Sequence, residues 1–430
     1  MEDTMSFVWK TASAVAILLV VMLALGCSSR GRDGEGGGGS DGDTDADTDT
    51  DTWDDWDGET GSIHGTVMAP SLTFPIAGAL VYTSLTMPDP IPDQAHCEEC
   101  KDMTAKFWTL TNPDGTFELS GVPALDDWYL VVQKGLFRTV TEFPVGPGIN
   151  DAPQEATTLP GENSGDGMKR IPNYAVLLNW YDRSEDLLAK LGMAELGSDG
   201  HFVPGTEHYD VYNDSETASS ALGDSSLVFQ SQDSLNHYHM VFFPCICNHL
   251  GTEFVQSHLE MLRNWVSAGG KLYGSCWASQ WAEFPFPEYI EFTGDDAQYV
   301  VGSVSMYDTH GKIEDQQMRD WLAVVAPTED PDSFPFTGAW IAIDNTVDVD
   351  DGHGIEEDNG VVMPITWVTD QVQYSGKPMT VTYNWDCGRV FYSVYQVVES
   401  SSSAEIRPQE YVLLYLIMEV GVCSGSFPVE

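Results

Sequence analysis

Positive charge is what this chain has least of. Its 430 residues carry 18 Lys and Arg against 67 Asp and Glu, a formal charge of −49. Nucleic-acid binding rests on basic side chains that displace the counterions of a phosphate backbone, so nucleic acid is excluded as a partner. A polybasic attachment to anionic lipid is excluded on the same ground. Long apolar runs are missing too. The longest, Ala14 to Leu25, has twelve residues, against roughly 20 for a helix that crosses the hydrocarbon core. His96-Cys97-Glu-Glu-Cys100 has no second CxxC or His-x-x-x-His after it, so spacing does not supply the four ligands of a closed zinc site. What is present suits a folded protein: 42% hydrophobic and 11% aromatic residues, and a length that calls for more than one domain.

The amino terminus sets the compartment. A short apolar stretch after Lys10, closed by small residues, has the layout of a secretory signal. Leu23-Ala-Leu-Gly-Cys27 resembles the bacterial lipobox. That resemblance implies a lipoprotein signal peptide over residues 1–26, lipidation of Cys27, a lipid anchor as the membrane contact, and a place in the cell envelope at the outer membrane. The acidic Glu2-Asp3 departs from a basic leader; starting at Met5 restores one. Residues 27–61 then read as a disordered acidic Gly/Asp/Thr tether. Ten acids and no base lie between Asp41 and Thr60, and dense like charge with little apolar surface cannot offset the entropy of ordering.

Two folded regions of different period follow, so the expected class is multidomain: a small antiparallel β-sandwich, then an α/β doubly wound domain. Residues 62–145 contain short β-rich runs and the turn Asn112-Pro-Asp-Gly115, with no amphipathic helix of useful length. Gly65-Thr-Val, Pro75-Ile-Ala-Gly-Ala-Leu-Val81 and Thr111-Asn-Pro-Asp-Gly-Thr-Phe-Glu-Leu119 resemble the carboxypeptidase regulatory-like domain, a transthyretin-like sandwich. That family's modules are accessory and sometimes have a carbohydrate-binding-like fold. No metallocarboxypeptidase zinc motif follows, so the resemblance implies no peptidase activity. Residues 146–170, rich in Gly, Pro, Asn and Asp, read as a linker.

From 171 to 430 the pattern alternates. Tyr174-Ala-Val-Leu-Leu178 and Tyr238 to Ile246 are apolar runs of the kind buried on both faces of a parallel sheet. Thr252 to Ala268 has helical spacing, and Lys271-Leu-Tyr-Gly-Ser275 is the next strand. This region resembles the class I glutamine amidotransferase-like fold, a flavodoxin-like doubly wound sheet, carried by Trp265-Val-Ser-Ala-Gly-Gly-Lys-Leu-Tyr-Gly-Ser275 and Gly388-Arg-Val-Phe-Tyr-Ser393. In such a fold Cys276 stands at a strand-nucleophile-helix elbow, with small neighbours Gly274 and Ala278. The family's base would be a histidine after the last core strand, where this chain has Val394-Tyr-Gln396. His353 is the one substitute base to consider.

Two function classes follow. One is a non-catalytic envelope protein that binds or scaffolds a glycan or protein ligand. The other is a cysteine-dependent hydrolase or transferase using Cys276. The remaining cysteines are disulfide candidates: Cys97 with Cys100, Cys387 with Cys423, and two of Cys245, Cys247 and Cys276, with one thiol left over. His237, His239 and His249 read as strand-edge histidines rather than metal ligands. The acidic loop with Asp348, Asp350, Asp351 and Glu356 is a calcium candidate outside the EF-hand spacing; no other cofactor is expected.

Overall fold

The computed structural model describes Trp53 and residues 56–97, 105–245, 250–294, 300–354, 360–397 and 403–419. Cys27, Cys100, Cys247, His249, Glu356 and Cys423 lie outside them, as does nearly all of the tether.

The first half is built from strands β1 (Thr60–Thr66), β2 (Leu80–Ser84), β3 (Trp108–Leu110), β4 (Thr116–Pro123), β5 (Tyr129–Lys134), β6 (Phe137–Glu142) and β7 (Gly148–Asp151), helix α1 (Gln154–Thr157) and β8 (Lys169–Arg170). They form two sheets, ordered β4-β1-β7 and β3-β2-β5-β6-β8. Alternate residues of β1, β2 and β4 turn inward, so Ile63, Val81, Phe117 and Leu119 share one core, as a half-buried strand period requires. The turn before β4 needs its glycine. Gly115 has φ +75°, and a Cβ there would sit 2.5 Å from the Val67 carbonyl oxygen.

Two expectations are corrected in this half. Residues 146–170 are not a free linker: β7 pairs with β1 and β8 with β6, which completes both sheets. The tether ends earlier than residue 61, because Trp53 rests on Trp128 at 5.3 Å and on Phe107 at 6.1 Å between ring centroids.

The second half continues with β9 (Tyr174–Leu178), α2 (Ser184–Leu191), β10 (Asp210–Asn213), α3 (Gln232–Asn236), β11 (Met240–Phe243), α4 (Thr252–Ser257), α5 (Leu259–Ser267), β12 (Lys271–Ser275) and α6 (Ser279–Glu283). Next come β13 (Ile290–Phe292), β14 (Ser303–Ile313), α7 (Gln316–Val325), β15 (Phe334–Ile341), β16 (Ile343–Thr346), β17 (Val349–Asp350) and β18 (Val361–Val362). The last elements are β19 (Ile365–Asp370), β20 (Pro378–Trp385), β21 (Gly388–Ser393) and α8 (Pro408–Glu419). One nine-stranded sheet runs β10-β9-β11-β12-β21-β20-β19-β14-β15. Its first five strands are parallel and the other four antiparallel, so the sheet is mixed rather than parallel throughout. The helix expected over 252–268 breaks at His258, whose ring stacks on Phe254 at 4.1 Å. Among the described residues no helix is long and apolar enough to cross a membrane.

The two halves meet through buried contacts. Phe74 packs on Trp321 and Tyr411, the Trp321 indole donates to the Pro75 carbonyl at 2.8 Å, and Lys134 reaches Glu419 at 2.7 Å. Cys97 pairs with Cys387, Cα to Cα 4.9 Å. This replaces both expected pairings of those residues, since the β20–β21 turn brings Cys387 to the loop before β3.

His239, expected at a strand edge, is buried in the same junction. The Asn173 N–H donates to its Nδ1 at 2.9 Å, so Nε2 carries the proton and donates to the Pro92 carbonyl at 3.0 Å. Burial, with Lys271 nearby, pushes this imidazole down to about 3. A depressed folded value means that the unfolded chain takes up the proton first, so stability is full above pH 6.5 and falls as the pH drops toward 3. At pH 5 the loss is about 2 kcal/mol by linkage. His239→Gln should lack this component. Denaturant titrations of both proteins at pH 7.5 and 5 test it, and an unchanged difference between them would contradict it.

Candidate functional site

The carboxyl edge of the parallel strands brings together Cys245 and Cys276, at the ends of β11 and β12. β12 ends at Ser275 in extended backbone, and Cys276 turns at φ +50°, one of three described non-glycine residues with positive φ. That is the strained backbone of an elbow. The fit around Gly274 is close, since a Cβ there would lie 3.3 Å from the Tyr392 ring, and that ring would have to give by a few tenths of an ångström.

The thiol itself is not available. Cys276 is fully buried and bonded to Cys245, Cα to Cα 4.6 Å. The Tyr392 hydroxyl donates to the Cys276 carbonyl at 2.5 Å, and the Gln396 amide donates to Cys245 sulfur at 3.4 Å. Neither contact brings an imidazole to Cys276. His353 does not reach it. Its Nδ1 lies 3.0 Å from Asp386, in the turn before β21, whereas Cys276 follows the residue paired with Ser393 at the far end of that strand. The two ends are roughly 20 Å apart at ordinary strand rise. The structure therefore removes His353 as a base for Cys276.

Asp182, which the sequence did not single out, organises this edge. Fully buried, it accepts from the Val397 N–H at 2.7 Å, the Cys245 N–H at 3.2 Å and the Ser275 hydroxyl. Burial raises its carboxyl to about 6 despite those three donors. Arg183 beside it bonds Asp186 at 2.7 Å and Glu216 at 2.6 Å. Between β9 and these anchors the chain exposes two aromatic side chains, Trp180 at 59% and Tyr181 at 54%.

At the amino edge lies a cleft of about 610 Å³ whose walls include Glu260, Arg263, Glu288, Tyr289, His353 and Trp385. Of the calcium candidates nearby, Glu356 lies outside the described residues. Asp351 accepts from the His353 N–H at 3.0 Å and from the Tyr289 hydroxyl. Among the described residues no three His, Cys, Asp or Glu side chains converge on a metal position.

No family model and no curated protein matches the sequence. Among solved structures, the chain is similar to the cytoplasmic protein STM1381 from Salmonella typhimurium LT2, at 11% identity and TM-score 0.35, over 58% of this chain and 98% of that one. It is also similar to an exo-β-1,4-mannosidase, Op5Man5, from Opitutaceae bacterium strain TAV5, at 11% identity and TM-score 0.29, over 59% of this chain and 37% of that one. A β-galactosidase from Bacillus circulans sp. alkalophilus matches at 11% identity and TM-score 0.30, over 59% and 32%. The chain thus spans about a third of the length of those glycosidases. At these scores the likenesses carry no argument about fold or activity.

Proposed function

We propose that this is a lipid-anchored envelope protein, held to the outer membrane through Cys27 and its acidic tether, with a non-catalytic role in binding glycan. Its second half is read as an amidotransferase-like domain. The parallel strand order β10-β9-β11-β12-β21 supports that reading, being the 2-1-3-4-5 order of flavodoxin-like sheets, which bind ligands at their carboxyl edge. The observation that carries the non-catalytic role is the Cys245–Cys276 bond, which leaves the elbow without a nucleophile. The exposed rings of Trp180 and Tyr181 each offer an apolar face of the kind that sugar rings stack on.

Affinity electrophoresis through gels containing soluble polysaccharides tests the binding role. The wild type should be retarded by at least one polysaccharide, and Trp180→Ala with Tyr181→Ala should migrate freely. Equal retardation of both would count against the aromatic face. Membrane attachment is tested apart from this: Cys27→Ser should move from the membrane fraction to the supernatant.

A second reading, a cysteine-dependent hydrolase or transferase, is favoured by the φ of Cys276 alone. It requires a reduced Cys276. Rapid alkylation of that residue in the native protein without reductant would support it.

A further inference from the structure

We infer that the amino-edge cleft is a second saccharide site, organised around His353 and independent of the carboxyl edge. The cleft opens between α5, the segment leading into β13, the loop after β17 and the end of β20. Its central side chain is held from three directions. The His353 ring stacks on Trp385 at 4.3 Å, its Nδ1 lies 3.0 Å from Asp386, and the Asp386 N–H donates to the His353 carbonyl at 2.6 Å.

Asp386 is itself fixed. It accepts from the Ser267 hydroxyl at 2.6 Å and takes φ +49° in the two-residue turn between β20 and β21, a conformation that Asp tolerates. A carboxylate on Nδ1 holds the proton there, so Nε2 is left as an acceptor. No partner for Nε2 exists among the described residues, and the side chain is 41% exposed. The ring beneath it is braced in turn: the Trp385 indole donates to the Tyr289 hydroxyl at 3.1 Å, and that hydroxyl donates to Asp351.

The rest of the wall mixes hydrogen-bonding groups of both kinds with apolar surface. Glu260 and Glu288 have no ion-pair or hydrogen-bond partner among the described residues and offer acceptors. Arg263 spends its Nε on the Pro285 carbonyl at 2.7 Å, which keeps the guanidinium in place with its terminal N–H groups as donors. Pro285 and Val349 give apolar wall. A ligand matched to such a surface has hydroxyls that donate and accept around its edge and a C–H face between them. A neutral sugar unit has that chemistry. An anion would face the carboxylates of Glu260, Glu288 and Asp351, and a simple cation would face Arg263.

Saturation-transfer NMR on the full chain tests the inference with cellobiose, maltose, mannobiose and diacetylchitobiose as probes. At least one should receive saturation, and its Kd should rise about tenfold or more in His353→Ala and in Glu288→Gln, as expected for a lost hydrogen bond to a charged or oriented group. Glu288 is exposed, so its variant tests the cleft without a burden on folding. Trp180→Ala should leave this Kd unchanged. The inference is overturned if none of the four sugars binds, or if binding is indifferent to both cleft substitutions. Binding lost in Trp180→Ala alone would overturn it as well, while leaving the carboxyl-edge proposal standing.

Discussion

Replacing Cys387 with Ser is expected to lower the free energy of unfolding by about 5 kcal/mol, the largest effect of any single substitution considered. The bond to Cys97 spans 290 residues. In the chain-entropy account the benefit grows with the logarithm of the loop, and a loop of that size lies near the top of the range. Cys97→Ser should cost the same, and the double variant should cost no more than either, because one bond is lost once. Guanidinium titrations without reductant measure all three. A silent Cys97→Ser beside a costly Cys387→Ser would mean that Cys387 has another partner, and peptide mapping would identify it.

The second large effect is expected at Asp182. Asp182→Ala leaves two buried N–H groups and a buried hydroxyl without their acceptor, at about 1–3 kcal/mol each. Part of this is recovered because a charge is no longer buried, so the net cost at pH 7 should be about 4 kcal/mol. The pH dependence has a definite sign. The folded value of about 6 is above the ordinary 3.8, so the folded protein binds the proton more tightly than the unfolded chain does. Acidification from 6 toward 4 therefore stabilises the wild type through this group, by up to about 3 kcal/mol. The variant lacks that gain, and the gap between the two proteins should widen over this window. The contribution of His239 is common to both and cancels in the difference. A gap that narrows on acidification would show that Asp182 is held charged by its donors rather than neutralised by burial.

The parts legible in the sequence were those fixed by local pattern. Tyr174 to Leu178 is apolar throughout because both faces are covered, and it forms an interior parallel strand, second from the sheet edge. Gly274, Cys276 and Ala278 marked a tight turn, and the turn is there. What spacing could not reveal was which distant segments meet. Asp182 reads as one acid after a strand; its role depends on β11, β12 and the end of β21 arriving around it. Asp386 looks like a hairpin residue until the loop with His353 folds over it. Cys97 and Cys100 suggested a local bond because they are close in sequence, but the bond of Cys97 was decided by the docking of the two halves. Trp180 and Tyr181 did carry a usable signal: two aromatics where a buried strand gives way to acids.

The position of β21 has a consequence for synthesis. It lies between β12 and β20, so β12 waits for a neighbour made about 120 residues later. At 5–20 residues per second that wait lasts roughly 6 to 24 seconds. During it the sandwich strands are already complete, while the Lys271–Ser275 strand presents an open row of N–H and C=O groups to any extended chain nearby. The nascent protein is therefore most exposed to mispairing in its centre rather than at its ends. A holding chaperone would matter most between the emergence of residues 275 and 393.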